Sequence, residues 1–368
     1  MSRIVIDARR MNSSTGHYVE RLVHELEAID QENEYIVILL EKEKDFYVPS
    51  APNFSVVTTT ADLYSLGEQT SLALLLYKLK PDIVHFWIPP GPFFYFGPRV
   101  TTIHDTTLIR YENIKGNPIV YRLRKAVFTF LLRNNIHRSK RILVPTEYVR
   151  SDLDKWTKGR YSSKFITTLE AGDMIQDEPE PIKALEGKQF LFWVGNAFPY
   201  KNVSRIVEAY ATLKQLYPDL ELGLAGKKDH FYAAIENDVN ARGIEDVYFL
   251  GYISDGEKRW AFQHACAYVC ASLSEGFHIP LLEAQYESCP VITSNATCLP
   301  EVAADAALYF DPHSTSELVD AARKLFDTPG LREELIAKGH ENTKRFSWRK
   351  MGEETHDTYR AVLSVISN

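Results

Sequence analysis

The chain has 368 residues, 45% of them hydrophobic and 25% charged, with a net charge of −7. That balance excludes a disordered, collagen-like or disulfide-scaffold class and argues against nucleic acid as the main partner. At ~150 residues per domain, the length points to two domains.

Short β-branched runs alternate with helical patterns along the whole sequence. The first half reads as strands at RIVIDAR, YIVILL, FSVVTTT, DIVHFW, RVTTIH, RILVPT and KFITTL, with a helix at His17–Ala28. A break follows at 174–188, MIQDEPEPIKALEGK, where two prolines, an acidic excess and no clear periodicity suit a linker. The second half reads as strands at QFLFWVG, LELGLAG, VYFLGY, AYVCAS, PVITSN and ALYF, with helices at Val203–Leu216 and Ser316–Phe326. A last helix spans Trp348–Ile366. Strands alternating with helices predict βαβ units and parallel sheets, and runs apolar on both faces fit strands covered on both sides. The expected fold class is therefore α/β, with two Rossmann-like doubly wound domains. The expected boundaries are 1–173 for the first domain, 174–188 for the linker and 189–349 for the second, with the helix from about 350 to 368 returning to the first. Net charge is +3 over residues 1–173 and −10 over the rest, a pattern of two units with different partners.

No apolar run approaches the ~20 residues a membrane span needs. MSRIVIDARR has no apolar region behind a basic start, so no secretory signal is expected and the chain is read as cytoplasmic. The four cysteines, Cys266, Cys270, Cys289 and Cys298, fall in one short stretch. Cys266 and Cys270 beside His264 raise a metal site, but the spacing is not C-x2-C and no second pair follows. They read as buried thiols in a reducing compartment.

In doubly wound domains, ligands bind beyond the carboxyl ends of the strands. Four loops there carry chemistry. Arg9–Tyr18, RRMNSSTGHY, follows the first strand; Gly16 permits close backbone approach, and the absence of GxGxxG removes most support for hydride transfer. Thr102–Asp105, TIHD, ends a strand; His104 there suits positioning or charge stabilisation, or simply caps a loop. FWVGNAFPYKN brings Lys201 to the start of a helix, where it reaches a diphosphate as a point charge, or lies on the surface. SEGFHIPLLE places Pro280 at a helix start, so the preceding loop sits on a helix N-terminus that favours phosphate. Glu275 in that loop and Glu283 one turn into the helix can accept pairs of hydroxyl hydrogen bonds from sugar and ribose diols, or are solvated glutamates.

These segments together resemble the retaining family-4 glycosyltransferases of the GT-B fold, over nearly the whole chain. The most specific mark is E-x7-E from Glu275 to Glu283; VGNAFPYKN, LGLAGK, YFLGYIS, PVITSNATCLPEV, TIHD and LVPTEYVRSDL support it. The IDARR…TG…Y pattern and TIHD are most similar to a branch of mannosyl- and rhamnosyl-transferases of surface polysaccharide synthesis. The resemblance implies two domains facing across a cleft. It implies that Glu283 binds ribose hydroxyls and Glu275 the donor sugar. Backbone N–H groups of Phe277, His278 and Ile279 would hold the diphosphate, and Lys201 would neutralise it as it leaves. Tyr252 and Ile253 would flank the base, with Lys227 close to the nucleotide. Gly16 would let its loop approach the donor, and His104 would sit near the anomeric centre. Two positions depart from the family: Asn196 stands where an Arg is common, leaving Lys201 more of the charge, and His278 replaces a glycine, either crowding the loop or touching the sugar.

No metal cluster is evident in a suitable loop, so the implied reaction is a metal-independent front-face transfer of a hexose from a nucleotide-diphosphate sugar. GDP-mannose is the first candidate donor and UDP-sugars the next; the acceptor would be a glycan or a lipid-linked saccharide. The segment Tyr121–Arg141 is basic, with an apolar middle, AVFTFLL. It reads as an interfacial element on the inner face of a membrane or, slightly favoured, as a core helix with a solvated rim. Two other functions share the architecture: a GT-B sugar-nucleotide epimerase, and a non-catalytic sugar-nucleotide-binding protein.

Overall fold

The structure is a computed structural model and describes residues 1–13, 15–111 and 117–366. It divides into two units, Met1–Glu170 with Ser347–Asn368, and Ala171–Phe346. Residues 367 and 368, the end of the expected C-terminal segment, lie outside the described residues, as does residue 14 of the first loop.

Every strand run read from the sequence forms a strand. In the first unit these are β1 (Arg3–Asp7), β2 (Glu34–Leu40), β3 (Phe54–Thr59), β4 (Ile83–Phe86), β5 (Arg99–Thr102), β6 (Arg141–Val144) and β7 (Phe165–Thr167). They form one parallel sheet in the order β3-β2-β1-β4-β5-β6-β7. The second unit holds β8 (Gln189–Val194), β9 (Leu220–Ala225), β10 (Val247–Gly251), β11 (Ala267–Cys270), β12 (Val291–Ser294) and β13 (Leu308–Phe310). Their order is β10-β9-β8-β11-β12-β13, again all parallel. In β4, β11 and β12 every residue is buried, as strands covered on both faces must be.

Each order reverses beside the unit's first strand, between β1 and β4 and between β8 and β11. The loops after those four strands therefore flank the switch points where such folds bind ligands.

Helix Trp348–Ile366 belongs to the first unit. Its buried Tyr359 hydroxyl lies 2.6 Å from His85 Nδ1 on β4, and His85 Nε2 lies 2.8 Å from the Thr102 hydroxyl on β5. The stretch 174–188 is irregular but packed on the second unit. Ile175, Ile182 and Leu185 are buried there, and Glu180 N–H donates to the Gly256 carbonyl at 3.0 Å. Prolines marked the lack of regular structure in that stretch, which is a different matter from a lack of packing.

Candidate active site

In the second unit, the loops after β8 and β11 bring Lys201 and Glu275 together. Lys201 ends a short 3-10 turn, Pro199–Lys201, and its Nζ lies 2.7 Å from Glu275 Oε1 and 2.9 Å from Oε2. Both side chains are largely buried. Burial alone pulls the ammonium down, but the Glu275 carboxylate outweighs it and holds Lys201 above the ordinary lysine range. Burial likewise raises Glu275, and Lys201 and His278 overcome it and hold its carboxyl well below the usual range.

His278 adopts a backbone conformation that favours glycine. Its φ of 82° and ψ of 68° are left-handed, which explains why a glycine suits the position. The imidazole does not stand in the open. It is buried, with Nδ1 3.1 Å from Glu275 Oε1 and Nε2 2.8 Å from the Tyr268 hydroxyl. Burial opposes its charge, and Cys270 and Glu275 outweigh burial, raising it to about 9. Cys270, Glu275 and His278 offer donor atoms within 4.8 Å of one another, a set that could hold a soft metal ion. Two cations, Lys201 and His278, already meet the charge of that carboxylate. The sequence pairing of Cys266 with Cys270 and His264 does not form this set: the His264 ring turns to the Trp260 carbonyl instead. All four cysteines are free thiols.

Glu283 lies on helix Ile279–Tyr286 and pairs with Lys258 Nζ at 3.0 Å. Phe277 turns its ring into the core against Phe346, leaving only its backbone for a ligand. Asn196 is half-buried beside Gly195. Lys227 and Tyr252 are exposed in the turns after β9 and β10, and Ile253 is half-buried. The ends of β8 and β9 are crowded: a Cβ on Gly226 would stand 2.0 Å from the Gly195 carbonyl oxygen.

In the first unit, His104 follows β5. Its Nδ1 lies 2.7 Å from Glu170 Oε1 and its Nε2 3.0 Å from the Trp87 carbonyl oxygen. Burial lowers it, yet Glu170 prevails and the ring is held above its ordinary value. Both nitrogens face acceptor oxygens, which fixes the ring in place. Gly16 is buried, and a Cβ there would stand 2.1 Å from the Met11 carbonyl oxygen. Its close approach is to its own loop.

Helix Pro118–Arg138 corrects the core-helix reading. Leu132, Asn135 and Ile136 are buried, but Ile119, Val120, Leu123, Val127 and Phe130 are exposed. At about 100° per residue the exposed set forms one stripe, with the buried residues on the far side. The helix is apolar all round because it has two apolar faces, only one of them covered by its own unit.

Four partners escaped the sequence reading: Glu170, Lys258, Tyr268 and Cys270 in its contact with His278. Tyr268 and Cys270 share β11, Lys258 lies on helix Asp255–His264 and Glu170 follows β7, and no spacing in the sequence ties them to the residues they touch.

The fold and the family models that match the chain define a GT-B glycosyltransferase. A family model described as glycosyl transferases group 1 matches residues 174–342, and one described as glycosyltransferase family 4 matches residues 15–160. The chain belongs to the family-4 glycosyltransferases and is a transferase, not an epimerase. It is 28% identical to the O-antigen chain mannosyltransferase B of Escherichia coli over 319 residues, 82% of this chain and 80% of that one. It is 24% identical to the O-antigen chain mannosyltransferase RfbU of Salmonella typhimurium, over 74% of this chain and 77% of that one. Among solved structures, a sucrose-phosphate synthase from Thermosynechococcus elongatus shares the fold with a TM-score of 0.77 at 16% identity, covering 99% of this chain and all of the other. Anabaena HepE, solved with UDP and glucose, gives 0.72 at 14%, covering 98% and 100%.

Proposed function

We propose that the chain transfers a hexose, mannose from GDP-mannose first, to a hydroxyl of a glycan or lipid-linked saccharide, with retention and without a metal. The observation that carries this is the Lys201–Glu275 pair at the switch point of the second unit, in a chain similar to two O-antigen mannosyltransferases. An ammonium has three N–H donors, and two of Lys201's go to Glu275. The third suits an oxygen of a leaving diphosphate. Backbone N–H groups of Phe277, His278 and Ile279 at the start of helix Ile279–Tyr286 add positive potential for the same anion. Glu283 takes the ribose hydroxyls, with Lys227, Tyr252 and Ile253 toward the nucleotide and Asn196 beside the diphosphate.

In the transfer, the acceptor oxygen bonds to the anomeric carbon as the bond from that carbon to phosphate breaks. The acceptor proton passes to the leaving phosphate oxygen on the same face, so no protein base is needed. His104, fixed by Glu170 and Trp87, positions the sugar, and Gly16 shapes the adjoining loop.

The exposed stripe of helix Pro118–Arg138, flanked by Arg122, Arg124 and Arg133, suits peripheral contact with an anionic membrane that carries the acceptor. Co-sedimentation with anionic vesicles at low salt tests this; no binding refutes it. Thermal stabilisation by GDP, UDP, dTDP and ADP, with EDTA and then with Mg²⁺, tests the donor site. A shift by one nucleotide in EDTA supports the reading, and a shift that needs Mg²⁺ overturns metal independence.

A further inference from the structure

The left-handed backbone at His278 calls for an explanation of its own. A residue with a β-carbon is disfavoured at φ 82°, and such conformations persist where something else holds them. Here the holder is the ring. Its side chain is almost fully buried, and both nitrogens are used: Nδ1–H donates to Glu275 Oε1, and Nε2–H to the hydroxyl oxygen of Tyr268, which is fully buried on β11. Glu275 Oε1 thus receives two donors, Lys201 Nζ at 2.7 Å and His278 Nδ1 at 3.1 Å, and Oε2 receives Lys201 alone at 2.9 Å. Lys201 comes from the loop after β8 and His278 from the loop after β11, anchored back to that strand. One cation alone would let the carboxylate swing about it. Two on the same oxygen fix its rotation and leave Oε2 facing the remaining direction.

We propose that His278 is a positioning residue: it sets the orientation of the Glu275 carboxylate so that Oε2 meets a hydroxyl of the donor sugar, and the strained backbone is retained for that contact. This rests on the reading of Glu275 as the donor-sugar contact. His278 then serves recognition of the sugar, separately from the nucleotide and diphosphate.

The strain makes the test decisive. Glycine relieves it and offsets part of the lost pairing with Glu275, so His278→Gly should stay folded, melting within a few degrees of the unaltered protein. The same variant should keep its affinity for GDP within about twofold. It should lose about tenfold in kcat/KM for GDP-mannose, the effect of one lost hydrogen bond to a charged group. Asparagine tolerates the left-handed region and can place an N–H near the Nδ1 position, so His278→Asn should recover part of that loss. UDP and UDP-glucose form the parallel pair. A His278→Gly protein that discriminates GDP-mannose from GDP as well as the unaltered enzyme overturns the inference while the donor site stands. Equal losses for GDP and GDP-mannose also overturn it, since that is the mark of a merely structural role. Failure of the unaltered protein to bind any of the four ligands overturns the donor reading itself.

Discussion

Both units place a buried ion cluster in the loop after their first strand, and the two clusters are built to opposite ends. After β1, Arg9 is fully buried between two carboxylates. Its Nη2 lies 2.8 Å from Asp7 Oδ2 and 2.7 Å from Glu68 Oε1, and its Nη1 donates to the Ala61 carbonyl at 2.8 Å. After β8, one carboxylate, Glu275, lies between two cations, Lys201 and His278. The first cluster has spare negative charge, with the cation held between two carboxylates. The second has spare positive charge and a lysine donor left over. An anionic ligand is repelled by the first and drawn to the second. The same position in the same fold therefore carries spare negative charge in one unit and spare positive charge in the other.

The largest effect should come from breaking the closed cluster. Arg9→Met strands Asp7 and Glu68 in the interior, where burial already pushes Glu68 upward. Removing one partner of a buried ion pair costs about 3–5 kcal/mol, to be read from urea denaturation. Nucleotide affinity of the folded fraction should not change; a protein that stays folded but loses GDP binding would break the comparison. Lys201→Ala should show the reverse pattern. His278 still pairs with Glu275, so melting shifts little, while transfer from GDP-mannose falls about 10²–10³-fold, the usual effect of removing charge stabilisation at a leaving group. Full activity of that variant would remove Lys201 from the mechanism.

The contrast between the clusters also shows what was legible in the sequence. The strands were readable because apolar runs bounded by turn residues repeat throughout, as in AYVCAS and PVITSN. Lys201, Glu275 and Glu283 were visible because each lies in a short segment following a strand. What those residues touch was not readable. Arg9 stands in the first loop as openly as Lys201 stands in its own, and nothing local shows that Glu68, 59 positions on, will close over it. Glu170 reaches His104 from beyond β7, 66 positions away. The helix Pro118–Arg138 misled for another reason: composition shows that both its faces are apolar, but not that only one is covered.

Glu283→Ala sharpens the comparison at the next level down. Glu283 has one cation, Lys258, and so stands between the two cluster types. If it takes ribose hydroxyls, affinity for GDP should fall by about 1–3 kcal/mol, measurable by calorimetry; unchanged affinity would make the pair structural. His104→Ala should lower transfer about tenfold, the size of a lost positioning hydrogen bond, with GDP affinity intact. Equal rates would make its pairing with Glu170 a structural contact, like that of Arg9 with Asp7.

The smallest effect is one of pH. His278 is raised from its ordinary 6.5 to about 9. Its charged form therefore adds stability that is complete below about 6.5 and is lost as pH rises through about 9. Glu275 is depressed, so its contribution holds above its ordinary 4.5 and is lost only in strong acid. The other groups facing the ring do not reverse this. Burial holds the Tyr268 hydroxyl and the Cys298 thiol well above their ordinary values, so both stay protonated; Lys201 stays charged; and burial raises Cys270 but His278 outweighs it and lowers it. GDP-mannose affinity should thus weaken about threefold between neutral pH and pH 9.5, as a charged hydrogen bond to Glu275 becomes a neutral one. His278→Asn, which has no proton to lose, should show a flat profile over the same range. Arg9, lowered by burial but raised more by Asp7 and Glu68, keeps its charge over that range. A native profile as flat as that of His278→Asn would mean that the second cluster is as inert as the first.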